Sequence, residues 1–176
     1  MYTITDRIQL RITEPDDAED LFNLIDSNRT QMEQFMSWAK DTKKVADERR
    51  FLKYCQTRYK EQKLWPATIL VDGKIAGMFD FHNIDHDNHH CEIGYWLGKP
   101  FQHNGVMTNV VKEATKIGFN ELKMHTIQIF AVVDNGPSNR VALNAGFNLE
   151  GTLKEYLLAN GRYQNSNIYS QMTAKK

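Results

Sequence analysis

The sequence predicts an α+β fold, a mixed and mostly antiparallel sheet flanked by helices on both faces, and three observations predict it. Period-two apolar runs flank the turn dipeptide Asp72-Gly73. An amphipathic helical pattern separates two β-rich runs after residue 90, and a last pair of strand-like runs meets at Asn160-Gly161. With 176 residues and 41% hydrophobic content, one core and one domain over 1–176 are expected.

Taken in order, "RIQLRI" (7–12) alternates as a short strand. "TEPDDAEDLFNLID" (13–26) then supplies a cap, an early proline and acids that suit a helix dipole. A second helical region surrounds Met32, Phe35 and Trp38. A third helix runs from about Val45 to Gln62, with Val45, Leu52, Cys55 and Tyr59 on one apolar stripe. "ATILV" (67–71) and "KIAGMFDF" (74–81) form a hairpin, because Asp72 and Gly73 accept the positive φ of a type I′ turn. A polar loop leads to "CEIGYWL" (91–97), a third antiparallel strand. The following helix packs Val110, Val111, Ala114 and Ile117 on the sheet and leaves Lys112, Glu113 and Lys116 outside. "TIQIFAVV" (126–133) is a buried central strand, so the strand–helix–strand unit implies a right-handed parallel crossover. "PSNRVALNAGF" (137–147) is a short helix stopped by Gly146, and "TLKEYLLA" (152–159) with "RYQNSNIYSQM" (162–172) is a C-terminal hairpin.

Lys+Arg and Asp+Glu balance at 22 each, which leaves no broad charged footprint for nucleic acid or an anionic membrane surface. The start, "MYTITDRIQLRI", has neither the apolar run of a signal nor that of a membrane span, so a cytoplasmic location is the default expectation. Cys55 and Cys91 are the only cysteines and are expected to be reduced core thiols. His82, His86, His89 and His90, among Asp80, Asp85 and Asp87, match neither a helical ligand pair nor a zinc finger. No metal is expected there.

"WLGKPFQHNGVMTNVVKEATKIGF" (96–119) poses the functional question. A helix beginning near Met107 or Thr108 leaves the amides of Asn104 to Asn109 without intrahelical acceptors. Those amides either end a plain polar turn or, with the helix dipole, seat an anion that Gly105 lets approach closely. A dinucleotide fold is disfavoured, since there is no G-x-G-x-x-G and the preceding strand is antiparallel.

The segment "EIGYWLGKPFQHNGVM" (92–107) resembles the acetyl-CoA-binding segment of the GNAT superfamily of N-acetyltransferases, whose signature is Q/R-x-x-G-x-G/A. Gln102, Gly105 and Met107 hold its fixed positions, Met107 departing from the usual small residue. Together with "VDNGPSNRVALNAGF", "LEGTLKE" and the closing "NIY", the chain is similar to the RimJ/RimL branch, whose members acetylate ribosomal-protein N-termini, and most of all to its RimL ribosomal-protein serine acetyltransferases. The resemblance implies a GNAT fold and acetyl-CoA as acetyl donor, without metal. It implies that main-chain groups of Tyr95, Trp96 and Leu97 contact pantetheine, that His103, Asn104, Gly105, Val106, Met107 and Thr108 hold the diphosphate, and that Asn135 and Asn139 complete the cofactor site.

The implied chemistry is direct attack of an amine on the thioester, which needs a polarised carbonyl, a proton acceptor and a group for the departing sulfur. Many relatives place a tyrosine seven residues beyond the asparagine that opens the second helix; here that asparagine is Asn135 and the position holds Ala142. The likeness assigns the sulfur to Ser138 instead, although a serine there also suits a helix N-cap. The base is expected to be Glu92, acting through water. Glu155 is second, because Leu157 stands where relatives carry the glutamate and Glu155 would share its strand face. Trp38, Met32 and Met36 fall on the acceptor side or in plain core. The acceptor is a protein N-terminus or a small amine, and the C-terminal hairpin could pair two copies as a homodimer. A competing class is an acyl-CoA-binding module that has lost catalysis, motivated by the missing tyrosine and displaced glutamate; CoA binding without transfer to any amine would mark it.

Overall fold

The computed structural model describes residues 1–159 and 161–173. Its centre is an eight-stranded sheet in the spatial order Tyr2–Thr3, Ile8–Ile12, Trp65–Val71, Lys74–Asp85, His90–Leu97, Thr126–Val132, Arg162–Met172 and Asn148–Ala159. The chain opens with β1 (Tyr2–Thr3) and β2 (Ile8–Ile12). A 3-10 turn at Pro15–Asp17 leads into α1 (Ala18–Ser27). The second helical region is fragmentary: α2 (Arg29–Met32) is one turn long, and a 3-10 turn at Ser37–Lys40 follows after a break, so Phe35 lies outside any helix. α3 spans Val45–Lys60.

Next come β3 (Trp65–Val71), β4 (Lys74–Asp85) and β5 (His90–Leu97), joined as antiparallel neighbours. Asp72 and Gly73 sit at φ 50° and 76°, as the type I′ turn requires. The expected polar loop is mostly strand: β4 carries His82 and Asp85, β5 begins at His90, and only residues 86–89 turn. Alternation continues through those polar residues because the pleat sets the period, whatever the side chain.

α4 (Val106–Asn120) crosses to β6 (Thr126–Val132), which runs parallel to β5. α5 (Gly136–Asn144) ends before Gly146, whose φ is 94°. β7 (Asn148–Ala159) and β8 (Arg162–Met172) form the closing hairpin; Asn160 of its expected turn lies outside the described residues.

Each sheet face buries its own layer. One carries Phe79, Phe81, Ile93 and Ile129 against Val110, Val111 and Ala114 of α4. Phe79 and Phe81 meet edge-on at 5.0 Å, an arrangement aromatic quadrupoles favour. The other carries Met78 and Trp96 against Leu21 and Ile25 of α1, Met32 of α2 and Leu52 of α3. On α3 the stripe differs from expectation. Leu52 and Cys55 are buried, but Tyr59, near the helix end, is 39% exposed, and Glu48 is buried where an apolar residue would be looked for. Both cysteines are buried free thiols. Among the described residues, no helix is long and apolar enough to cross a membrane.

Candidate active site

A gap opens in the sheet where β5 and β6 part. Their pairing covers His90↔Thr126 to Ile93↔Ile129 and stops, although β5 continues to Leu97 and β6 to Val132. Each stays paired on its other side, β5 with β4 through Leu97 and β6 with β8 through Val132. The backbone of 94–97 therefore has one edge without a strand partner, beside the head of α4.

That head is built by left-handed backbone. Gly105, at φ 71°, is the N-cap of α4, and His103 also lies at φ 64°. The helix starts at Val106, one to two residues earlier than the polar pattern suggested. Asn109 is thereby drawn into the helix, donating to the Gly105 carbonyl at 3.1 Å, so its amide is not free as expected. The amides of residues 103–108 have no protein acceptor among the described residues. His103, Asn104 and Gly105 are exposed, while the Val106 and Met107 side chains are buried in the core. Met107 thus turns away from the amide cluster and does not crowd it. Gln102 donates from Nε2 to the Leu97 carbonyl at 2.8 Å, which ties the loop to the end of β5 and occupies that carbonyl.

Across the gap, Tyr95 reaches α5. Its hydroxyl donates to the Ser138 carbonyl (3.2 Å) and lies 3.0 Å from Ser138 Oγ. Burial, more than the neighbouring Tyr169, pushes the phenol up to about 12, and the bond to Ser138 only partly offsets this, so Tyr95 keeps its proton at neutral pH. A tyrosine hydroxyl thus lies beside Ser138, although position 142 holds alanine. Ser138 is not the N-cap of α5: Asn135 is, accepting from the Ser138 amide at 3.3 Å, which leaves the serine hydroxyl to Tyr95. Asn139 is spent inside the protein. Its Nδ2 donates to the Val132 and Asn135 carbonyls (2.9 and 2.7 Å) and its Oδ1 accepts from Tyr169 and Asn167 (2.6 and 2.8 Å).

The opposite face of β4 and β5 is acidic. His82 bridges Asp80 Oδ1 (2.6 Å) and Glu92 Oε2 (3.3 Å), and Asn83 donates to Glu92 Oε1 at 3.0 Å. Burial alone would lower the His82 pKa, but the two carboxylates outweigh it and raise it to about 9. The bond from His82, together with that from Asn83, holds Glu92 below the usual carboxylate range. Asp80 sits over Gly94: a Cβ there would lie 2.9 Å from its Oδ2. Glu155 does not share a face with Leu157 as alternation implied. A register shift between Leu153 and Leu157 bulges it outward at φ 48°, exposed, its amide donating to Asn165 Oδ1 at 2.9 Å. Residues 153–157 give no sign of this bulge by composition.

Met32 is buried with Trp96, and Met36 packs partly exposed against the same cluster. Trp38 is 40% exposed and tilts against Trp96 at 6.3 Å between ring centroids. Glu48, on the sheet-facing side of α3, is 2% exposed, and burial pushes its carboxyl up to about 7. Among the described residues, no group of three or more His, Cys, Asp or Glu is placed to hold a metal ion.

This geometry has known counterparts. The model of the acetyltransferase (GNAT) domain matches residues 7–148. The putative ribosomal N-acetyltransferase YdaF of Bacillus subtilis (strain 168) is 30% identical over 168 residues, 95% of this chain and 92% of the relative. The ribosomal-protein-serine acetyltransferase of Escherichia coli (strain K12) is 25% identical over 96% of the chain and 94% of its own length. Among solved structures, the microcin C7 self immunity acetyltransferase MccE, in complex with acetyl-CoA and AMP, superposes with a TM-score of 0.92 at 33% identity, covering 97% of this chain and 94% of that one. The ribosomal L7/L12 α-N-protein acetyltransferase RimL, in complex with coenzyme A, has the same fold: TM-score 0.93, 24% identity, 97% and 96% covered.

Proposed function

Because the chain belongs to the GNAT acetyltransferase family and is an N-acetyltransferase that uses acetyl-CoA, we propose that it acetylates the α-amino group of a protein N-terminus, a ribosomal protein being the first candidate. The observation that carries the reading is the set of acceptor-free amides at 103–108, beside a strand edge that has lost its neighbour. Such amides at a helix N-terminus favour a diphosphate. The free edge at Tyr95 and Trp96 offers main-chain groups to the pantetheine arm, and a backbone amide there polarises the thioester carbonyl. The Leu97 carbonyl is already held by Gln102, so its share is limited to the amide side.

Transfer then proceeds by attack of the neutral amine on the carbonyl carbon: a C–N bond forms, the C–S bond breaks, and the electron pair leaves on sulfur. Ser138 donates a hydrogen bond to the departing thiolate when Tyr95 turns its own proton from the Ser138 carbonyl to Ser138 Oγ. Glu92, kept ionised by His82, takes the amine proton through water, and His82 keeps the product proton within reach of a second carboxylate, Asp80. Glu155 is too far displaced by its bulge to be the first choice.

The names of the ribosomal-protein relatives support a protein N-terminus as acceptor. The 33% identity to the microcin C7 immunity enzyme favours a second reading, a small-molecule amine. CoA thiol release, measured with short peptides bearing free N-termini and with a panel of small amines, decides between them. Mass spectrometry of N-termini from cells with and without the chain then identifies the natural target. Thiol release with small amines and none with any peptide would overturn the first reading.

A further inference from the structure

Glu48 is the group in this protein with the least local reason to be charged where it is. α3 turns Val45, Glu48, Leu52 and Cys55 toward the sheet, and both Val45 and Leu52 pack in the cluster that contains Trp96. The glutamate between them is 2% exposed, and among the described residues no hydrogen bond or ion pair reaches its carboxylate. Its acidic neighbour is Asp80: the Cys55 thiol, raised mainly by burial, feels both Asp80 and Glu48. Asp80 in turn lies over Gly94, on the strand that also carries Trp96. Glu48 and Asp80 thus lie on the face of the sheet that carries Trp96, against which the half-exposed Trp38 tilts; Asp80 already has His82 as its cation, and Glu48 has none among the described residues. An unpaired carboxylate in an apolar setting costs free energy that a local partner normally offsets. Aromatic faces beside carboxylates are the usual receptor for an organic cation.

We propose that Glu48 receives the ammonium form of the acceptor amine, with Trp38 and Trp96 flanking it, and so fixes which end of the acceptor enters the site. This rests on the acetyltransferase reading above but adds a residue that neither the family motif nor the diphosphate seat involves. Glu48 is an acceptor-binding residue, separate from the group that takes the proton.

The test is Glu48→Gln, which keeps the shape and removes the charge, with Glu48→Leu as a second variant should the amide pack poorly. A short peptide with a free N-terminal serine and a primary alkylamine serve as acceptors, and CoA binding is measured by calorimetry. The acceptor KM is expected to rise at least about 10-fold in both variants with CoA affinity within about twofold of wild type, and with melting temperatures equal to or above wild type. Unchanged acceptor KM overturns the proposal. A parallel loss of CoA affinity also overturns it, since that marks a general structural role. Failure of the wild-type chain to bind CoA at all would instead bring down the acetyltransferase site itself, and this inference with it.

Discussion

His82 is held by two carboxylates in a way that makes its charge measurable. Neutral imidazole has one N–H and imidazolium has two, so only the charged ring donates to both Asp80 at 2.6 Å and Glu92 at 3.3 Å. Its pKa is raised from 6.5 to about 9. A histidine whose folded pKa is raised adds stability that is complete below about 6.5 and is lost as pH climbs through about 9. At about 1.36 kcal/mol per pH unit, the full difference would be roughly 3.4 kcal/mol. The side chain is 36% exposed, however, and solvent screening cuts this to about 1.5–2 kcal/mol. The lowered Glu92 carboxyl is the same contact seen from its partner and is not counted again. His82→Gln keeps a hydrogen-bonding amide and loses the charge. Urea unfolding of both proteins, from about pH 6 to about pH 9.5, should show wild type more stable by about 1.5–2 kcal/mol at the acid end, with the curves converging at the alkaline end. Parallel curves across that window would refute the ion-pair assignment.

Four further substitutions probe the site. Gly105→Ala meets no atom within 4 Å, so its cost is conformational, about 1–2 kcal/mol from placing an L-residue at φ 71°; CoA affinity by calorimetry should fall several-fold with it, and unchanged affinity would speak against a diphosphate at this turn. Ser138→Ala should lower kcat by about 10²-fold with little change in the KM for acetyl-CoA. Tyr95→Phe should lower kcat similarly, and the double variant should fall well short of the product of the two, because the hydroxyls act as one pair 3.0 Å apart. Asn139→Ala removes the acceptor of the Tyr169 hydroxyl and the side-chain donor to the Val132 and Asn135 carbonyls, which keep their backbone donors, and should cost about 1–3 kcal/mol in unfolding free energy without altering the pH dependence assigned to His82.

Elements whose physics is local were readable in advance. The Asp72-Gly73 turn, the α4 stripe at Val110, Val111, Ala114 and Ile117, and the end of α5 at Gly146 depend on backbone preference and period alone, and the structure has each of them. The departures fall where polar residues suggest a loop. His82 and Asp85 are strand residues because β4 and β5 pair around them, and ladder hydrogen bonds do not depend on what the side chains carry. The bulge at 154–156 is the converse case: composition there is ordinary, and only the register against β8 shows that three residues oppose one.

The site divides along the same line. The acceptor-free amides at 103–108 follow from Gly105 and the helix after it, so that turn is legible in the sequence, although Asn109, expected among the free amides, is bonded inside the helix. The Tyr95–Ser138 pair joins residues 43 apart in the chain, and nothing local announces it. Glu48 is a sharper instance. In an amphipathic helix a glutamate is assigned outward and a tyrosine inward by default, and α3 reverses both at Glu48 and Tyr59. Burying that carboxylate without a partner destabilises the fold above about pH 7, where it must ionise, and costs progressively less below that as it protonates. A helix that could have carried leucine there at no such cost, and with the same periodicity, carries glutamate. The burial is therefore best explained by something the isolated chain lacks, a cation delivered from outside, and the position where sequence logic fails is the position where an acceptor is expected.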